Sequence, residues 1–308
     1  MMSERGILRL SIAVTFLVAG FGIVLGLLSG SFAIVFDGVY ALADAGMTVV
    51  ALLVANLIAA SAASGTARSR LVDRFTMGFW HLEPIVLLLN GVLLIGAAVY
   101  ALINAIGSLM TGGRPLDFDI AIFYAVVTLV ACFAMAIFGR YANQRIRSDF
   151  LALDAKAWIM SGAITAALLI AFIIGYLIQG TQYEYLSPYI DPAVLALVCL
   201  VIIPIPIGTV RQALADVLLV TPADLKQEVD RVAQAIVARY GFLSHRAYVA
   251  RVGRGRQIEL YFIAPMGWPP KRLEDWDRIR DEIGLAIGGE GPDRWLTIAF
   301  TTDREWAD

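Results

Sequence analysis

The stretch SFAIVFDGVYALADAGMTVVALLVANLIAA, residues 31–60, decides how this chain is read. It exceeds the roughly 20 apolar residues that a helix needs to cross a bilayer. Yet it carries two carboxylates, Asp37 and Asp44. On a helix, positions i, i+3 and i+7 share one stripe, so Asp37, Tyr40 and Asp44 form a polar seam. Acids facing lipid are costly, so the seam is expected to face protein or a water-filled cavity. An acid at that depth is first of all a functional candidate.

Working outward, hydrophobic residues make up 59% of the 308 and charged residues 16%. Soluble domains hold roughly 45–50% and 25%, so the composition is that of an integral membrane protein. The net charge of −2 says nothing about partners, and no basic surface suited to nucleic acid stands out. Six apolar segments are long enough to span, at about 7–29, 31–60, 83–110, 118–140, 150–178 and 190–219. Arg5 and Arg9 precede the first, Arg68, Arg70 and Arg74 follow the second, and Arg140, Arg145 and Arg147 follow the fourth. The alternate loops hold only Arg114, which predicts that both termini are cytoplasmic, in a bacterial inner or plasma membrane. The first segment lacks a small-residue cleavage site and reads as a retained helix. Cys132 and Cys199 lie inside apolar segments and read as small core residues.

The remaining segments carry fewer signals. Gly20, Gly22 and Gly26 give the first helix a small-residue face for close packing. In RFTMGFWHLEP, residues 74–84, a turn at Gly78 leads to His81 and Glu83, and Asn90 and Asn104 further on are expected to bond between helices. The fourth segment is almost purely apolar and reads as a scaffold or lipid-facing helix. In the fifth, Asp154, either Ala157 or Trp158, Ser161 and Thr165 share a stripe. Lys156 has two readings: it snorkels to the interface, or it turns inward as a charge partner for a carboxylate such as Asp44. The sixth opens with Asp191-Pro192, and Pro204 with Pro206 predicts a kink.

After residue 220 the composition becomes that of a soluble domain. A helix ended by Gly241, two strands joined at Gly253-Arg254-Gly255, a second helix and a last strand give the order αββαβ. The expected fold is therefore six transmembrane helices over 1–220, followed by a small cytoplasmic α+β domain over 221–308. Trp268, Trp276, Trp295 and Trp306 give that domain the aromatic weight of an interface, and a dimerisation role is expected.

The chain resembles the cation diffusion facilitator family. The resemblance rests on SFAIVFDGVYALADAG, on Gly78 and Glu83 as the family's Gly-x-x-x-x-Glu motif, on DAKAWIMSGAITAALL at 154–169 and on YIDPAVLALVCLVII at 189–203, in that order. It implies efflux of a divalent metal, zinc, iron or manganese, by alternating access in a homodimer coupled to inward proton movement. It implies no permanently bound cofactor. It also implies an ion site between the second and fifth helices, formed by two i, i+4 pairs. Those positions here are Tyr40 with Asp44 and Ala157 with Ser161, of which Asp44 alone is a standard ligand.

A tetrahedral zinc site wants imidazole, thiolate or carboxylate ligands. The expected metal set is therefore Asp44 supplemented by Asp37 or Asp154, with Tyr40 and Ser161 as auxiliary oxygens, a set that leans toward harder ions. His81 reads as a boundary residue and His245 as a strand-end residue, with Glu259 and Asp303 as acids of a solvated face. The alternative is a transport-inactive structural or regulatory partner subunit in which Lys156 replaces the ion. An enzyme is not expected, because no Gly-x-Ser-x-Gly turn and no His-Glu-x-x-His helix occurs.

Overall fold

The structure is a computed structural model and describes residues 4–62, 78–146, 149–291 and 293–308. Arg68, Arg70, Arg74 and Arg147, used for orientation, lie outside them. The chain runs α1 (Glu4–Ser29), α2 (Phe32–Ala62), α3 (Leu82–Met110), α4 (Phe118–Ile146) and α5 (Asp149–Ile178), then a 3-10 turn over Glu184–Tyr189. It continues with α6 (Ile190–Ile202), α7 (Ile207–Val217), α8 (Ala223–Tyr240), β1 (Ser244–Val252), β2 (Gly255–Ile263), α9 (Leu273–Ile287) and β3 (Arg294–Thr301). Among the described residues six helical spans are long and apolar enough to cross a membrane, from Gly6–Ser29 through Glu184–Ile202. A small domain with a three-stranded sheet follows them, as the sequence predicts.

Two compact units can be distinguished, and neither is continuous in sequence. One holds Met1–Val49 with Asn90–Gly208, the other Val50–Leu89 with Thr209–Asp308.

In the first unit the start of α2 is fixed from two sides. Ser31 caps the helix by accepting the Ile34 N–H at 3.1 Å, the usual role of a hydroxyl at that position. Asp191, at the head of α6, accepts the Ser31 hydroxyl at 2.5 Å and the Phe32 and Ala33 N–H groups at 3.0 and 3.4 Å. A buried acid at a helix N-terminus thus satisfies donors that the helix itself leaves open. Arg114 adds favourable charge nearby.

Helices α1 and α2 approach closely through glycine. A Cβ on Gly38 would lie 2.7 Å from the Ala19 carbonyl, and one on Gly26 2.7 Å from the Val35 amide. Gly22 and Gly26, one i, i+4 step apart, do form the packed face. Gly20, about 200° around from Gly22, meets nothing within 4 Å and is no part of it. Both cysteines are buried, as expected. Asn104 also departs from expectation, since it donates to the Tyr100 carbonyl of its own helix at 2.9 Å.

The proline pair breaks the last apolar helix where the sequence suggested a kink. Helix α6 stops at Ile202, and i→i−3 bonds from Ile205 to Ile202 and from Ile207 to Pro204 carry the chain through a turn into α7. Pro204 and Pro206 each lack an amide hydrogen, and two rings so close leave no helical ladder to resume.

In the second unit β2 is central, antiparallel to β1 and parallel to β3. Its Ile258, Leu260 and Phe262 alternate toward the core, where they meet Val229 and Ala233 of α8 and Ile279 and Ile283 of α9. Gly241, at φ 78°, ends α8 in the left-handed conformation that glycine adopts most readily. Trp268 and Trp276 pack against this core beside Phe242 and Phe300. Trp295 and Trp306 are instead 37% and 77% exposed. The tip of the β1–β2 hairpin is held by Glu83, which accepts from the Arg254 backbone N–H and from its guanidinium at 3.2 and 3.0 Å. That carboxylate holds the guanidinium yet more firmly protonated.

Replacing Asp191 by Ala strands a buried hydroxyl and two amides, and is expected to cost about 2–4 kcal/mol of stability. Thermal unfolding in mild detergent measures this. Asp191→Asn keeps a carbonyl acceptor and is expected to lose roughly half as much.

Candidate functional site

Helix α2 contains the acidic seam, and its residues point to different neighbours. Asp37 accepts a hydrogen bond from the Tyr124 hydroxyl of α4 at 2.8 Å. Tyr124 is 1% exposed and packs against Phe21, with ring centroids 6.0 Å apart. Gly22 makes room for it, since a Cβ there would lie 3.0 Å from the phenol oxygen. Tyr40, half-buried, packs on Phe36 and lies within electrostatic reach of Asp44. Asp44 is exposed and accepts from the Asn90 side-chain amide of α3 at 3.3 Å. Thr48 bonds back to the Asp44 carbonyl at 2.9 Å.

Helix α5 contributes two further polar positions. Ser11 of α1 donates to Asp154 at 2.7 Å and receives the Trp158 indole N–H at 2.8 Å. Trp158 therefore takes the buried place on the stripe, beside Cys132 and Ala136, while Ala157 is exposed. Spacing admits either position, since 157 and 158 both stand three or four residues from 154 and 161, and the Ser11 partner selects the indole. Ser161 is half-buried and accepts from the Cys132 thiol at 3.7 Å. Lys156 is exposed and makes no ion pair among the described residues.

The structure thus gives Asp37, Asp44, Asp154 and Ser161 four different partners on α4, α3, α1 and α4. Among the described residues no three His, Cys, Asp or Glu side chains converge as a metal cluster.

Helix α4 is the element whose role sequence reasoning missed. Tyr124, Thr128 and Cys132 follow at four-residue steps, all about 1% exposed, and form a polar line facing α2 and α5. Thr128 Oγ1 lies beside the Tyr124 hydroxyl without a well-formed hydrogen bond. The recurrence at i, i+4, i+8 was the available signal, hidden because Tyr, Thr and Cys all pass in an apolar run.

Of the two histidines, His245 on β1 faces Asp230 of α8 at 3.4 Å, and Lys226 pairs with the same acid. Glu259 instead accepts from Gln257, and Asp303 caps the last 3-10 turn through the Glu305 N–H. His81 is exposed just ahead of α3.

Six membrane-capable helices with carboxylates held inside them define a polytopic membrane protein whose interior is equipped for charge. The cation efflux transmembrane domain, as a family model, matches residues 8–218, and the chain belongs to that family. No protein of curated function matches the sequence. Membership makes this an integral membrane protein of a cation-transporting family and points to a transporter rather than to an enzyme.

Tyr124→Phe removes the one hydrogen bond shown to Asp37 while keeping the ring. It is expected to destabilise the protein by about 1–2 kcal/mol, read as a shift of the unfolding midpoint in detergent.

Proposed function

We propose that the protein exports a divalent metal ion, zinc, iron or manganese, by alternating access, with protons moving inward in exchange. The observation that carries this reading is the pair of acids, Asp37 and Asp44, within one membrane span of a chain of this family. Carboxylates inside a membrane domain are expensive, and use by a passing cation is the best-attested reason for them. Asp44 serves as the central ligand. Asp37 serves as an outer ligand or relay acid, Tyr40 and Ser161 as auxiliary oxygens, and Asp154 as a further acid near the path. Metal and proton compete for Asp44, because both bind the same carboxylate oxygens.

In this reading residues 1–220 form the transport domain, and 221–308 a cytoplasmic domain that joins two copies. Trp295 and Trp306, exposed beside the sheet, suit such a contact. Both termini face the cytoplasm of a bacterial inner or plasma membrane, following the Lys/Arg distribution. A second reading, a transport-inactive partner subunit, is favoured by one observation: no three ligating side chains of the usual types converge among the described residues. In that reading Lys156 takes the ion's place as charge partner.

Metal flux into proteoliposomes across a pH gradient tests the first reading against the second. Uptake of at least one of Mn²⁺, Fe²⁺ or Zn²⁺ is expected, falling by about 100-fold in Asp44→Ala, which removes a first-sphere ligand. Absent flux in the unaltered protein, together with metal binding gained by Lys156→Ala, would establish the partner-subunit reading instead.

A further inference from the structure

The amide of Asn90 is a polar group of the helical unit that packing alone leaves half explained. Its nitrogen donates to Asp44 at 3.3 Å, across from α3 to α2. Its oxygen is buried and has no hydrogen-bond partner among the described residues. An interhelical bond alone does not account for that oxygen, because a buried acceptor without a donor is a net loss to the fold. A packing contact to Asp44 needs a donor and nothing more. The side chain present brings an acceptor as well, on the same carbon as the nitrogen that faces the carboxylate.

We propose that Asn90 supplies a cation-coordinating oxygen beside Asp44 and sets which cations the site accepts. This rests on the transport reading of the seam given above. Without a cation, the Asn90 N–H group stands where positive charge would stand, neutralising part of the Asp44 field. When a cation arrives at Asp44, a half-turn of the amide exchanges nitrogen for oxygen at nearly the same place, since the two ends are almost isosteric. The oxygen then gains the positive partner it lacks, and the amide nitrogen takes its former place. Tyr40, one turn before Asp44 and within its field, adds a phenolic oxygen.

The resulting donor set is one carboxylate, one amide carbonyl and one hydroxyl. All are oxygen, which favours hard cations over the thiolate- and imidazole-loving ones. The set carries a single negative charge. A dication therefore stays underneutralised unless it keeps water or recruits Asp37, and a second charge at position 90 would relieve that deficit. Asn90 is thus a specificity-determining residue, and its replacement alters selectivity as well as affinity.

The experiment measures flux in proteoliposomes for Mn²⁺, Fe²⁺, Zn²⁺, Na⁺ and K⁺, with unaltered protein, Asn90→Leu and Asn90→Asp, each checked for monodisperse elution and unfolding midpoint. In Asn90→Leu the half-saturating cation concentration is expected to rise by about 10–100-fold with maximal rate little changed. In Asn90→Asp the divalent-to-monovalent preference is expected to rise by about tenfold or more. If the unaltered protein transports while both variants keep its half-saturation and preference, the inference is overturned and the transport reading stands. If Asn90→Leu does not fold, the Asn90→Asp preference decides, and an unchanged ratio overturns the inference. If the unaltered protein neither binds nor moves any of these cations, the transport reading falls and the inference with it.

Discussion

A carboxylate placed inside an apolar span has to find a partner on another helix, and the helical unit is arranged around that requirement. Four acids meet it in four directions. Asp37 ties α2 to α4 through Tyr124, and Asp44 ties α2 to α3 through Asn90. Asp154 ties α5 to α1 through Ser11, and Asp191 ties α6 to the first turn of α2. Since lipid offers helices no hydrophobic incentive to associate, such polar ties and close small-residue contacts carry much of the specificity of packing. Helix α2 takes part in three of the four ties, so its seam is the best-anchored feature of the unit.

The approach of backbones at glycine makes those ties geometrically available. Gly38 lets α2 lie against the Ala19 carbonyl of α1, and Gly22 leaves the space through which Tyr124 reaches Asp37. A methyl group at either place would push the helices apart by a distance comparable with the tolerance of a hydrogen bond. Small residues and buried acids are therefore parts of one device, in which closeness permits pairing and pairing rewards closeness.

Much of the fold was legible because periodicity and length are properties of one segment at a time. The six apolar runs, the αββαβ order, the Gly241 stop and the hairpin at Gly253 could each be read without knowing what lay beside them. What a helix faces is a property of two segments, and a single sequence does not contain it. The stripe on α5 was readable as far as Ala157 or Trp158. Only the presence of Ser11 on α1 explains why the indole takes the inner place. Helix α4 looked like scaffold because its phenol, hydroxyl and thiol sit among apolar residues, and their use depends on Asp37 and Ser161 across the interface. The proline pair was noticed, but a kink and a break differ by how many ladder bonds are lost, and two prolines within three residues exceed what one turn absorbs.

The kind of partner each seam acid has matters as much as its presence. Asp37 and Asp44 are held by a phenol and an amide, both neutral. A lysine or arginine in either place would cancel the carboxylate and, in a low-dielectric setting, would be costly to displace. A neutral donor stabilises the anion without cancelling its charge, which is what the proposed transport reading asks of two positions about 10 Å apart along the helix. Each of these neutral partners carries an oxygen of its own, the Tyr124 hydroxyl and the Asn90 amide oxygen, beside the acid it holds. On the proposed transport reading, neutral partners therefore suit a seam that is stable when empty and still receptive to charge.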